Sequence, residues 1–147
     1  MRLLTGSGFA PYADKDLIGG GIVTDLLQHS IHAVAPDQAV QVAFINDWPA
    51  HLETLLRDGA YEVGFPWYKP DCANAGRLND ELRMRCEEFD FSNPIFEIAL
   101  GFYTRTGDPL AGIASPGGLV EKAMCRPKGH FLFDRDQIDL MAPDITI

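Results

Sequence analysis

The chain has 147 residues, is 46% hydrophobic and 22% charged, and carries a formal net charge of −9. That balance supports one core-forming domain of ordinary size and excludes a disordered tail. The acidic excess argues against a nucleic-acid partner and against docking on anionic membranes, both of which need a basic surface, and no run of about 18 apolar residues reads as a membrane-spanning helix.

Arg2–Ser7 reads as a strand and is followed by the loop Gly8-Phe9-Ala10-Pro11-Tyr12. Gly19-Gly20-Gly21 marks a turn. From Ile22 to about Val34 the apolar residues recur at helical spacing: Ile22, Leu26 and Ile31, with Val23, Leu27, Ser30 and Val34, predict a broad buried face. Ala39–Ile45 is rich in β-formers and predicts the second strand. Asp47 then offers an N-cap with Pro49 in the first turn, and His51 to Arg57 continue a helix that points Leu52, Leu55 and Leu56 inward and stops at Gly59. Tyr61–Phe65 predicts the third strand. This β-α-β-α-β order implies a parallel sheet with right-handed crossovers.

After the third strand comes Gly64-Phe65-Pro66-Trp67-Tyr68-Lys69-Pro70-Asp71-Cys72, a loop dense in aromatic rings and prolines. Loops at the carboxyl ends of parallel strands are where ligands bind, and aromatic faces with a few fixed charges suit a small molecule. Residues 73–85 read as polar and poor in helix. Phe96 to Arg105 predicts a long apolar strand, broken by Thr106-Gly107-Asp108-Pro109. Ser115-Pro116 opens a short helix through Lys122. Met124–Arg126 is a small strand, Gly129–Asp134 a loop leading to another helix, and Ile145–Ile147 the start of a strand.

Of the three cysteines, Cys72 and Cys86 flank the polar segment. A bridge there would close a loop of about 15 residues and contribute up to about 3 kcal/mol in the chain-entropy model; the alternative is two free thiols. Cys125 is left over and asks for a partner outside this sequence. There is no CxxC or Cys/His cluster, so no metal site is expected, and no P-loop, Gly-x-Gly-x-x-Gly or Ser-His-Asp order suggests a cofactor or a catalytic nucleophile. His29, His32, His51 and His130 read as scattered, solvent-exposed residues.

The order of these features resembles the periplasmic solute-binding proteins of ABC importers, in the branch that includes polar amino acid receptors. The residues carrying the resemblance are Gly8–Tyr12, Gly21–Leu27, Trp48–Gly59, Tyr61–Gly64, Arg85 and Phe89-Asp90-Phe91-Ser92-Asn93-Pro94. The resemblance implies a type II α/β lobe with a parallel-rich sheet over residues 1–105 and the beginning of a second α/β lobe over 106–147. The remainder of that lobe and the return crossing would be absent, making the chain a fragment. It further implies a monomeric, periplasmic protein, freed of its signal peptide, that closes on a small solute, delivers it to the permease subunits in the membrane and performs no chemistry.

Arg85 falls where the family places the arginine that grips a ligand carboxylate, a role suited to a planar fork of donors; a surface arginine paired with Glu87 or Glu88 is the other reading. Phe9 and Tyr12 fall on the first cleft loop, where an aromatic stacks on ligand, or else they pack the lobe. Trp67 and Tyr68, held between prolines, form a binding platform or belong to the core. Pro66 to Lys69 stand where amino acid receptors carry small hydroxyl residues, and Lys69 would repel an ammonium group, so the expected ligand is a small polar or anionic organic solute. Phe9, Trp67 and Tyr68 are expected to converge at one mouth, with Arg85 in reach. Two alternatives remain: an enzyme of the dehydratase kind on the same fold, with Glu62 and Asp71 as acid–base candidates, and the ligand-sensing ectodomain of a signalling receptor.

Overall fold

The computed structural model describes residues 1–97 and 103–113. The elements predicted after Ser115, and Cys125 with them, lie outside the described residues. The chain falls into two compact units, Met1–Tyr68 and Lys69–Ile147.

The first unit is α/β. Its three parallel strands are β1 (Arg2–Thr5), β2 (Gln41–Phe44) and β3 (Val63–Gly64), in the order β2-β1-β3. Leu3 pairs with Val42 on one side and with Val63 on the other. The helix α1 (Ile22–Val34) links β1 to β2. The link from β2 to β3 is α2, which begins as an α-helical turn at Trp48–Ala50 and widens into π-helical turns over His51–Leu56. Successive right-handed crossovers that run first to one side of β1 and then to the other must place their helices on opposite faces.

The packing agrees. Leu3, Val23 and Phe65 form a buried cluster, joined by Tyr12, Leu27, Ile31, Val40 and Val42; this is the α1 face. Alternation along the strands turns Leu4, Gly6 and Gly64 to the other face, where a side chain on Gly6 would strike Trp48 and one on Gly64 would strike Leu56.

Strand lengths are set by hydrogen bonding at their ends. The ladder continues just past β3, with Glu62 N–H donating to Arg2 O (3.0 Å) and Phe65 N–H to Leu4 O (3.0 Å). It stops at Pro66, which has no N–H to give, and on the other side at Tyr61, whose N–H goes to Leu55 O. Hence the five-residue strand expected from sequence keeps only two residues of regular pairing.

In α1 the buried stripe is Val23–Leu27–Ile31, one residue every four, with Thr24 beside it. Ile22, Leu26 and Val34, expected on the same face, are exposed. A helix turns about 100° per residue, so a narrow three-stranded sheet covers one such stripe and leaves the next in solvent. In α2 the N-cap is as expected: the Asp47 carboxylate accepts from Ala50 N–H at 3.2 Å.

In the second unit the segment read as polar loop holds a 3-10 segment, Cys72–Arg77, and a third helix, α3 (Asp80–Glu88). The local code for α3 is complete. The Asn79 side chain accepts from Leu82 N–H at 2.9 Å, Asp80 and Glu81 occupy the first turn, where the helix dipole favours anions, and Asp80–Arg83 and Glu81–Arg85 pair at one-turn spacing (2.7 Å each). Asn79→Ala is expected to cost about 1 kcal/mol through loss of the cap. Urea unfolding followed by circular dichroism checks it, and an unchanged midpoint would mean that the cap contributes nothing.

Phe96, Glu97 and Tyr103–Arg105 carry no strand, and the middle of the long strand expected there lies outside the described residues. The break after it is a turn, closed by Asp108 N–H on Arg105 O at 3.0 Å.

Candidate functional site

With β1 in the centre, the connection leaving β1 crosses one face of the sheet through α1 and the connection leaving β2 crosses the other through α2. The carboxyl ends of strands whose connections part in this way are the usual binding place in open parallel sheets. The connection after β1 is tied down by its own side chains. Asn46 Oδ1 accepts from Ser7 N–H (2.6 Å), Ser7 Oγ accepts from Lys15 N–H (3.1 Å), and the Asp14 carboxylate accepts from Gly8 N–H (2.9 Å) and Asp16 N–H (3.0 Å). The backbone donors Asp16 and Gly8 hold the Asp14 carboxyl below its usual range. Phe9 to Ala13 form a tight turn with a cis Ala10–Pro11 bond. Pro11 O and Tyr12 O accept the first N–H groups of α1, from Ile22 and Val23 (2.9 Å each).

The aromatic residues expected at this edge divide into two groups. Phe9 stacks against Tyr12 with ring centroids 5.2 Å apart, and Tyr12 packs on the α1 face. Burial pushes the Tyr68 hydroxyl upward, with a smaller contribution from Tyr12. Trp67 sits on the other face. Its indole lies edge-on to Trp48, with centroids 5.4 Å apart and planes at 81°, and its Nε1 would be 3.2 Å from a side chain on Gly64. Phe9 and Trp67 therefore do not share one mouth, and the reason is alternation: Phe65 turns into the α1 cluster while Gly64 opens the α2 face, where Trp67 sits.

His51 completes the second group. Expected in solvent, it is fully buried. Its ring centroid lies 5.0 Å from that of Trp48 and 5.9 Å from that of Trp67. Nε2 is 2.7 Å from Ile45 O, so Nε2 carries the proton. Burial pushes the imidazole below its ordinary value, against smaller opposing contributions from Ile45 O and Asp47. The signal for this burial was present in the spacing: Trp48, His51, Leu52 and Leu55 fall at i, i+3, i+4 and i+7, the inward stripe of a helix.

In the second unit Cys72 and Cys86 are bonded, with α-carbons 5.5 Å apart, joining the 3-10 segment to α3. Arg85 is buried, with 3% of its side chain exposed, and donates from Nη2 to Glu81 Oε1 at 2.7 Å, one turn earlier on α3. Arg83 is bonded to Asp80 Oδ1 (2.7 Å) and Leu78 O (3.3 Å). Lys69 is exposed.

Of the two acid–base candidates, Glu62 stands just before β3, at the amino ends of the strands, bonded to Arg2 through both the Arg2 side chain and its backbone N–H. The Arg2 guanidinium holds its carboxyl below the usual range, ionised and unsuited to act as a general acid. Asp71 accepts from Asn74 Nδ2 at 2.7 Å. Among the described residues no three of His, Cys, Asp or Glu gather as a metal site. No family model, curated protein or solved structure matches this chain.

Proposed function

We propose that this chain is the solute-capturing component of an importer, working outside the cytoplasm and delivering a small polar or anionic organic solute to membrane permease subunits. The observation that carries the reading is the parallel sheet in the order β2-β1-β3, whose connections from β1 and β2 cross opposite faces. The Phe9–Tyr12 ring pair and Tyr68 at that edge offer aromatic surface for a flat or aliphatic solute. The Cys72–Cys86 bond supports an oxidising compartment. On this reading residues 1–105 belong to one type II lobe and residues 106–147 to a second, and closure of the two buries the ligand. Arg85 is the carboxylate anchor; Glu81 keeps its fork in a set orientation, which lowers the entropy lost on binding. The protein binds and releases without chemistry.

Calorimetric titration with small carboxylates, dicarboxylates and polar amino acids tests the reading. At least one class is expected to bind. Arg85→Lys, which keeps the charge beside Glu81 but loses the planar fork, is expected to weaken that binding by about 1.5–3 kcal/mol, roughly tenfold to a hundredfold. Circular dichroism of the variant guards against a folding defect. Absence of binding across the whole panel would overturn the solute-receptor reading, and undiminished binding by Arg85→Lys would remove Arg85 from the site.

A further inference from the structure

The box formed by Trp48, His51 and Trp67 has a chemical asymmetry. His51 uses one ring nitrogen, Nε2, against Ile45 O at 2.7 Å. The other, Nδ1, is buried with no hydrogen-bond partner among the described residues. In the neutral ring Nδ1 is a bare acceptor, a tolerable state between two indoles. In the protonated ring it becomes a second donor bearing charge, enclosed where nothing accepts it.

The surroundings supply little compensation. From the helix itself the ring meets Trp48, and Leu52 beside it is buried. From the loop after β3 comes Trp67, which is not titratable. Among the described residues Asp47 is the charged group acting on the ring, and its carboxylate is already engaged in capping α2 through Ala50 N–H. Indole faces attract cations, but the His51 plane is tilted 40° to Trp48 and stands 74° to Trp67, edge to face and not stacked.

The two indoles also fasten the strand ends. A β-carbon on Gly6 would lie 2.7 Å from the Trp48 ring, and one on Gly64 would lie 3.2 Å from Trp67 Nε1. The box thus lies against Gly6, the first residue past β1, and Gly64, the last residue of β3.

We propose that His51 is an acid-operated latch: neutral, it clamps Ile45 O and seats both indoles on the ends of β1 and β3; protonated, it leaves the box and releases the Pro66–Tyr68 arm. The sign follows from the burial. A histidine whose folded value lies below its unfolded value of about 6.5 leaves the latch fully closed above that pH, and closure is lost as pH falls below it. The Asp14 and Glu62 carboxyls, held below their usual range, titrate later, at lower pH. The latch is independent of what the strand ends bind.

The chain's two tryptophans are the two in the box, so intrinsic fluorescence reports on it alone. The test is a titration of the intact chain from about pH 8 to 4.5, followed by tryptophan emission and by nitrogen and proton resonances of the imidazole and indole rings. His51 is expected as the Nε2–H tautomer at neutral pH, titrating below the ordinary value, with both indole resonances and the emission changing at the same midpoint. His51→Gln, whose amide can still donate to Ile45 O, is expected to lose this step. The variant combining His29→Gln, His32→Gln and His130→Gln is expected to keep it. Titration of His51 at an ordinary or raised value, titration without an indole response, or survival of the step in His51→Gln would each overturn the latch. Should His51→Gln fail to fold, the wild-type resonances alone decide, because they either share one midpoint or do not.

Discussion

Gly21→Ala is expected to destabilise the first unit by about 3 kcal/mol or more, the combined scale of backbone strain and overpacking. Gly21 is buried and holds φ 99°, ψ 164°, a conformation essentially closed to residues with a β-carbon. An added β-carbon would sit 2.6 Å from Tyr12 O, 2.8 Å from Tyr12 C and 3.0 Å from Ala13 Cα. These are main-chain atoms and cannot rotate aside. To escape, the loop must withdraw from α1, giving up the bonds from Ile22 N–H to Pro11 O and from Val23 N–H to Tyr12 O. The Tyr12 ring, part of the α1-face cluster, would move with it. Gly59→Ala is the internal control. Gly59 also has a positive φ, 75°, but an added β-carbon there meets nothing within 4 Å, so about 1 kcal/mol of conformational cost is expected. Denaturant unfolding of both variants separates strain from collision. Equal losses would show that the contact with Tyr12 is relieved at no cost.

Cys86→Ser is expected to destabilise the second unit by about 3 kcal/mol, the loop-closure contribution of a bridge spanning about 15 residues. The bond joins the 3-10 segment Cys72–Arg77 to α3 near its end. Without it, α3 keeps its Asn79 cap and its two one-turn ion pairs, Asp80–Arg83 and Glu81–Arg85. Those are worth a few tenths of a kcal/mol each beyond the cap, too little to hold nine residues. Hydrogen exchange should therefore quicken at the α3 amides of Leu82 and Arg83, while the β1 amides keep their protection. Cys72→Ser should match it, and the double variant should add nothing further. Protection at α3 unchanged by either substitution would mean that packing alone holds the helix.

Much of the local structure was legible because it is written in short-range chemistry. Asp47 with Pro49 announced a helix start, and the carboxylate does accept from Ala50 N–H. The spacing of Cys72 and Cys86 around a short segment announced a closable loop, and the bond is present. The helix α3 was equally legible but was passed over, because its signal is a cap and charge pairs and not an apolar stripe: Leu82 and Arg85 are its buried residues. The candidate site residues were legible by type and illegible as an arrangement. Arg85 reads as a ligand-gripping arginine or as a partner of Glu87 or Glu88, and the structure pairs it with Glu81; Glu62 reads as a candidate acid until Arg2, sixty positions earlier, is found beside it.

By itself the sequence determined the strand–helix alternation of the first unit, the Asp47 cap, the closable loop between Cys72 and Cys86 and the parallel α/β class, because each depends on residues a few positions apart or on the periodicity of one segment. Only the tertiary structure decided which side chains meet. The choice of Val23–Leu27–Ile31 over Ile22–Leu26 as the buried stripe, the burial of His51 and the separation of Trp67 from Phe9 all follow from the register of β1 against β2 and β3. Side chains alternate between the faces of a strand, so a shift of one residue in that register would exchange the two faces. The register is set by contacts between segments forty to sixty residues apart, and no local pattern contains it.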